Sequence, residues 1–411
     1  MSSSWSIDAV RAAFPALALQ DDGVARAYLD APAGTQMAGR SIDRMVRLMT
    51  TACANDGGVF RTSVEGEATM FEAHRACAAL LNAASFEEIV FGLNTTSLLF
   101  HVSRILARDW RAGDEIVLSR MDHDANVAPW LAVAEERGVA VRWLDFDTET
   151  FRYDYDSLDA LIGPRTRLVA CNHASNLLGT INDVKRIAEA ARAVGAVSVV
   201  DGVQSAPHML TDVQALGCDL FVFSPYKVFG PHAGVLWMRG ELMDRLTPLK
   251  VRPSPQQAPW MWAPGTPSFE AQAGVLGAIE HIAWLGGLGS EATLREQLAA
   301  GWRASQAWEG TLMRRFLAGL KAIPGMRLYG LGGDNELADR VPTFSFTLPG
   351  RQASEVVSDL ASHNVFAWAG SFYAHEIAQR LGVAENGVVR VGLAHYTSKA
   401  EVDRALALLS A

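Results

Sequence analysis

Between about residue 85 and residue 240, short β-branched or apolar runs alternate with longer segments of helical period, which predicts parallel strands joined by crossover helices. The runs are EEIVFG (87–92), DEIVLS (114–119), AVRWLDF (140–146), TRLVACN (166–172), AVSVVDG (196–202), DLFVFS (219–224) and AGVLWM (233–238). Seven such runs suit one large sheet of an α/β fold. Between them, DVKRIAEAARAVG (183–195) repeats its apolar residues at helical spacing and ends in Gly195, a residue suited to a helix C-cap. After Pro253 the texture changes. A loop rich in Pro and Trp (RPSPQQAPWMWAPGTPS) precedes a stretch of helical period from about Phe269 to Ala322, and the remainder, including RVPTFSFTLPG and GVVRVGLAHY, mixes strands and helices on a smaller scale. A smaller C-terminal α+β domain joined by a long helix is expected. Residues 26–290 are assigned to the large domain, 291–411 to the small one, and 1–25 to an N-terminal segment packing on the small domain.

Composition narrows the class without naming it. At 411 residues, 49% hydrophobic and 20% charged, the chain is an ordinary globular protein of two or three domains. Its formal charge of −9 argues against nucleic acid as the main partner, because neutralising phosphates needs clustered Lys and Arg. The start, MSSSWSIDAVRAAF, lacks an apolar run flanked by positive charge and is not read as a signal peptide. No stretch is apolar for the length a membrane span requires, so a cytoplasmic protein without a membrane partner is expected. Cys53, Cys77, Cys171 and Cys218 stand far apart without metal-like pairing. Each is expected to be a buried small hydrophobe, and no metal site is expected. Gly287-Leu-Gly289 with Ala292 approximates a dinucleotide fingerprint, but it follows a helical segment rather than a strand. Gly330-Leu-Gly332-Gly333 has turn composition.

The strongest chemical signal is an ordered pair. Asp201 ends one predicted strand, and Lys227 lies just beyond the next. Ligands of open α/β sheets sit outside the carboxyl ends of the strands, so a carboxylate and an amine come to one crevice. Pyridoxal 5′-phosphate (PLP) chemistry needs both. The lysine forms the Schiff base that holds the cofactor and then shuttles the α-proton, while the carboxylate keeps the pyridine nitrogen protonated. Alone, a strand-end Asp is a cap and a lone Lys a solvated charge; their order and neighbours give them weight.

Those neighbours, VVDGVQSAPH followed by FVFSPYKVFGPHAGVLW, resemble the class V aminotransferases of fold type I, and within them the cysteine desulfurase and selenocysteine lyase group. Similar islands run in order along the chain: AYLDAPAGTQ (27–36), FGLNTTS (91–97), MDHDANVAPW (121–130), NHASNLLGT (172–180), APGTPS (263–268) and VVRVGLAHYTSKAEVD (388–403). The resemblance implies catalytic roles for Lys227, Asp201 and His123, with His123 face-on over the pyridine ring. It implies that Asn176 and Gln204 hydrogen-bond the ring oxygen and that Arg390 binds the substrate α-carboxylate through two parallel hydrogen bonds. Thr95 and Thr96, at the start of a helix, would meet the phosphate, with Ser224 and Tyr226 as further donors. Gly265 and Thr266 match a family Gly-Thr pair that reaches the phosphate of the neighbouring subunit, which implies a homodimer with shared active sites.

The pattern also breaks. Cysteine desulfurases carry a catalytic cysteine on a loop of the small domain, and the corresponding NVFAWAGSFYAHEIAQRLG (364–382) contains none. That loop instead offers Trp368, Ser371, Phe372 and Tyr373, which with Trp260 and Trp262 supply aromatics able to close a substrate pocket or simply to fill core. Tyr226 stands where desulfurases have a histidine directly before the lysine. A PLP enzyme acting on an L-α-amino acid is expected, best read as a β-eliminating carbon–sulfur or carbon–selenium lyase without a persulfide intermediate. Transamination, racemisation and β-decarboxylation with carbon–carbon bond formation remain open. The non-enzymatic alternative is an inactive dimeric scaffold.

Overall fold

The computed structural model describes residues 5–411; the first four residues of the segment 1–25 lie outside the described residues. All seven expected runs form strands: β1 (Ile89–Gly92), β2 (Glu115–Ser119), β3 (Ala140–Leu144), β4 (Thr166–Asn172), β5 (Val197–Asp201), β6 (Leu220–Phe223) and β7 (Gly234–Met238). They make one sheet of order β1-β7-β6-β5-β4-β2-β3. Alternate residues serve opposite faces. Val117, Val169, Val200 and Phe221 join one apolar core, while Ile116, Leu118, Leu168, Val199 and Leu220 join another on the far side. A sheet buried on both faces needs apolar residues at nearly every position, which is why its strands stand out as unbroken runs.

One strand departs from the parallel expectation. β7 runs antiparallel to both of its neighbours, β1 and β6. The connection from Ser224 to Ala233 is shorter than the dozen or so residues a parallel crossover requires, so the chain must turn back. The reversal places this turn, which carries Lys227, at the same sheet edge as the carboxyl ends of β2, β4, β5 and β6.

The main helices are α1 (Gly39–Thr51), α2 (Arg61–Leu81), α3 (Thr95–Leu106), α4 (Ala128–Arg137), α5 (Val184–Ala193), α6 (Phe269–Leu285), α7 (Leu294–Lys321), α8 (Ala353–Ser362) and α9 (Lys399–Leu409). In α5, Gly195 follows the cap with φ +75°, as a terminating glycine should. The helical stretch expected from Phe269 to Ala322 is two helices, not one. Glycines make the hairpin possible: a Cβ on Gly286 would sit 2.7 Å from the Gln297 carbonyl oxygen, and one on Gly301 2.0 Å from that of Ile282.

Beyond α7, strands β8 (Arg327–Tyr329), β9 (Thr343–Thr347), β10 (Trp368–Gly370) and β11 (Val388–Gly392) form an antiparallel sheet of order β8-β9-β11-β10. Phe344, Phe346, Val389 and Val391 pack there against Leu312 and Phe316 of α7, Leu360 of α8 and Val402 of α9. Arg340 ties together the segments on either side of it, and the backbone around it pairs with the loop after β4. Its buried guanidinium donates to the carbonyls of Leu331, Val341 and Thr343 and lies 4.3 Å from the Phe344 ring. Alongside it, Val341 N–H donates to Gly179 O and Ile181 N–H to Asp339 O. In the N-terminal segment, Arg11 donates to Glu401 and to the Tyr396 carbonyl.

Three cysteines are buried, but Cys53 is exposed. It lies in the turn between α1 and α2 rather than on an apolar face, so the expectation of a buried hydrophobe fails there. Among the described residues no helix is long and apolar enough to cross a membrane.

Candidate active site

The carboxyl edge of the large sheet gathers the expected side chains into one pocket. Thr95, Thr96, His123, Asn176, Asp201, Gln204, Ser224, Tyr226 and Lys227 all line it, together with Asn94 and Asn172. Strand register explains part of this, since Asn172 at the end of β4 sits beside Asp201 at the end of β5. Asp201 is buried and accepts from the Val203 amide at 2.8 Å. Burial raises its carboxyl above the usual range, against the pull of that amide and of the Lys227 charge.

Asn94 caps α3 by a reciprocal pair with Ser97, so the amides of Thr95 and Thr96 begin the helix without intrahelical acceptors. The Thr95 and Ser224 hydroxyls meet at 2.7 Å, which brings α3 and the lysine turn together. Gly234 permits this approach, because a Cβ there would stand 2.4 Å from the Asn94 carbonyl carbon. Amides at a helix start, two threonine hydroxyls and a serine make a cradle for an anion.

Lys227 closes a single 3₁₀ turn, Pro225–Lys227, and is buried. Burial lowers its ammonium below the ordinary lysine value, the nearby Arg390 cation adds to this, and Asp201 and Asp30 oppose it. His123 is held neutral, pushed down to about 3, chiefly by burial and then by the charges of Lys227 and Arg390. Its Nδ1 accepts from the Ala125 amide at 3.0 Å, which fixes the ring above the pocket. Tyr226 does not face the pocket as a free donor alone; its ring stacks on His232 with centroids 4.7 Å apart.

A second cleft continues outward from this pocket, sharing His123, Asn176, Tyr226 and Lys227. Arg390 on β11 points into it, donating to the Asn176 carbonyl at 3.3 Å and to Asp30 at 3.4 Å. Its guanidinium lies 3.8 Å from the centre of the Phe372 ring, and its Nε has no partner. Asp30 is the partner of Arg390 that sequence reasoning missed. It stands in the quoted island AYLDAPAGTQ, but nothing local marks it, because its partner is 360 positions away. Gly265 and Thr266 are exposed and line neither pocket of their own chain. Trp260 and Trp262 likewise stay outside the cleft. Trp260 packs against Phe71 and His74, and Trp262 is core.

The pocket fits PLP on its own evidence. An anion cradle lies at one end, a buried carboxylate and a buried amine lie in the same pocket, and two amides have incomplete bonding. Asn176 donates to the Phe372 carbonyl and Gln204 to Thr343, yet the oxygen of each amide is buried without a partner. Each oxygen therefore calls for a hydrogen-bond donor in the pocket. Fold and site together define a PLP-dependent enzyme of fold type I.

The comparisons with known proteins agree. The model of the family described as aminotransferase class-V matches residues 27–405, and the chain belongs to that family. Among curated relatives it is 34% identical to a cysteine desulfurase of Pectobacterium carotovorum, covering 98% of this chain and 97% of that one. It is 32% identical to the aminotransferase-like protein FGM3 of Gibberella zeae, covering 99% and 98%. Among solved structures, the apo cysteine desulfurase of Thermococcus onnurineus superposes with a TM-score of 0.88 at 27% identity, covering 100% of this chain and 98% of that one. The cysteine desulfurase CsdA of Escherichia coli, solved as its S-sulfonic acid, gives 0.84 at 29% identity, covering 98% of each.

Proposed function

We propose that this enzyme eliminates a sulfur or selenium substituent from Cβ of an L-α-amino acid, without passing that atom to a protein cysteine. The observation that carries the reading is the makeup of the outer cleft. The segment facing Arg390 is Trp368-Ala369-Gly370-Ser371-Phe372-Tyr373, which has no thiol, and none of the four cysteines lines either pocket. Burial pushes the thiols of Cys77, Cys171 and Cys218 up, away from the thiolate form a nucleophile needs.

When bound, the cofactor supplies an electron sink for the bond broken at Cα. Thr95, Thr96 and Ser224 would hold its phosphate, Asp201 its ring nitrogen, and Asn176 with Gln204 its ring oxygen. His123, neutral and fixed by Ala125, would pack against the bound ring and help exclude water. Arg390 receives the substrate carboxylate, exchanging its long contact with Asp30 for a bidentate one. Lys227, whose burial favours the neutral amine, takes the proton from Cα. Residues 264–266, exposed in the single chain, suit a homodimer in which Gly265 and Thr266 meet the phosphate of the neighbouring subunit.

The test is a product analysis with purified holoenzyme and sulfur-containing amino acids. Pyruvate and ammonium with no sulfur retained on the protein are expected. Sulfur carried on a cysteine, or a cofactor form that accumulates and is reconverted by 2-oxo acids, would overturn the reading in favour of desulfuration or transamination respectively.

A further inference from the structure

The outer cleft has a character that removing sulfur from cysteine itself would not need. It encloses about 550 Å³ and is walled by Pro32, Trp368, Phe372 and Tyr373, with His123 at its base. Trp368 pairs directly with Arg390 across the β10–β11 ladder, so both side chains leave the sheet on one face. Trp368 is 60% exposed and Tyr373 75% exposed. Large rings left this open at the mouth of a site offer apolar area that a ligand can cover.

The loop is also held in a costly conformation. Phe372 and Tyr373 adopt consecutive left-handed backbone angles, φ 58° and 55°, after Gly370 at 149°. Non-glycine residues rarely stay there unless the surroundings impose it. Two bonds impose it here: Asp124 N–H donates to the Tyr373 carbonyl at 2.7 Å, and Asn176 donates to that of Phe372 at 2.9 Å. The result sets Phe372 under the Arg390 guanidinium and Tyr373 5.4 Å from the His123 ring. The polar residues of this wall, Ser371, His375 and Asp124, supply no lysine or arginine for a second acidic group, and Asp124 repels one.

The geometry points to S-substituted L-cysteines carrying an apolar alkyl or aryl group on sulfur as the substrates, the group lying between Trp368 and Tyr373. This rests on the elimination proposed above. The Cβ–S bond breaks with its electron pair going to sulfur, which leaves as the thiol after taking a proton. The Cα proton goes to Lys227, and the released enamine hydrolyses, so that thioether and water yield thiol, pyruvate and ammonium.

The experiment compares S-benzyl-L-cysteine, S-methyl-L-cysteine and L-cysteine with the holoenzyme, following both pyruvate release and the spectral change on binding. S-benzyl-L-cysteine is expected to exceed S-methyl-L-cysteine in kcat/KM and in affinity by about tenfold or more. Trp368→Ala and Tyr373→Ala should each collapse that ratio severalfold. Equal use of the three compounds, or ratios unmoved in both variants, would overturn this assignment while leaving the elimination standing. Tighter binding of the benzyl compound without pyruvate would keep the cleft's assignment and remove the elimination.

Discussion

At Arg390 a buried cation depends on two weak contacts, a carboxylate at 3.4 Å and a carbonyl at 3.3 Å, besides the face of Phe372. Burial lowers its pKa and Asp30 opposes the shift, so the guanidinium stays charged with bonding capacity in reserve. Arg390→Ala is expected to reduce kcat/KM for every α-amino acid by at least about thirtyfold, the equivalent of the 2–5 kcal/mol typical of a truncated buried charge contact. Unchanged values across a panel of amino acids would remove its carboxylate role. For Lys227, attack on the cofactor aldehyde requires the neutral amine, and burial lowers the pH at which that form appears. The rate of cofactor attachment to the apoprotein should therefore rise with pH and level off below the ordinary lysine pKa of about 10.4. Stopped-flow absorbance across pH measures it, and a midpoint at or above the ordinary value contradicts the burial argument.

Among the elements, β7 does most to shape the site. Its first residue, Gly234, presses against the start of α3, and a methyl group there would displace the amides of the anion cradle. Gly234→Ala should weaken PLP affinity at least tenfold, read by fluorescence titration of the apoprotein, with a smaller loss for the phosphate-free aldehyde. Equal losses for both would place the defect elsewhere. The strands themselves were legible because burial on two faces writes them as apolar runs such as IVFG and LFVF. Their order was not, since nothing in IVFG tells that GVLWM will pair with it rather than EIVLS. In sequence the hairpin of α6 and α7 looks like one helix because apolar periodicity continues through it, and the glycines that allow the crossing act on residues in the other helix. Asp201 and Lys227 could be read because each follows a strand; Asp30 could not, because its meaning lies wholly in Arg390.

Over the whole molecule, a buried histidine pair links helix α6 to the segment that follows β11. His281 of α6 and His395, beyond β11, approach at 2.9 Å between Nε2 atoms, surrounded by Phe14, Phe229 and Tyr396. Burial pushes His281 down to about 3 and His395 well below its usual value. The unfolded histidines take up protons near pH 6.5, so the unfolded chain binds more protons than the fold below that pH. The pair's contribution is complete above about pH 6.5 and is lost as the pH falls toward 3. A variant with both positions changed to leucine should lose less stability than the wild type between pH 7.5 and 5.5 in urea denaturation. Identical sensitivity in both would exclude this source.

The reversed strand also sets an order of events in time. Thr95 waits on Ser224, and the lysine turn is pinned only once the chain has returned through Gly234, so a polypeptide emerging from the ribosome has no competence for vitamin B6 until residue 238 has been made and threaded between its neighbours. Coenzyme capture should then report completion of the central sheet, and truncations ending before that strand should stay colourless however much of the remaining fold they acquire.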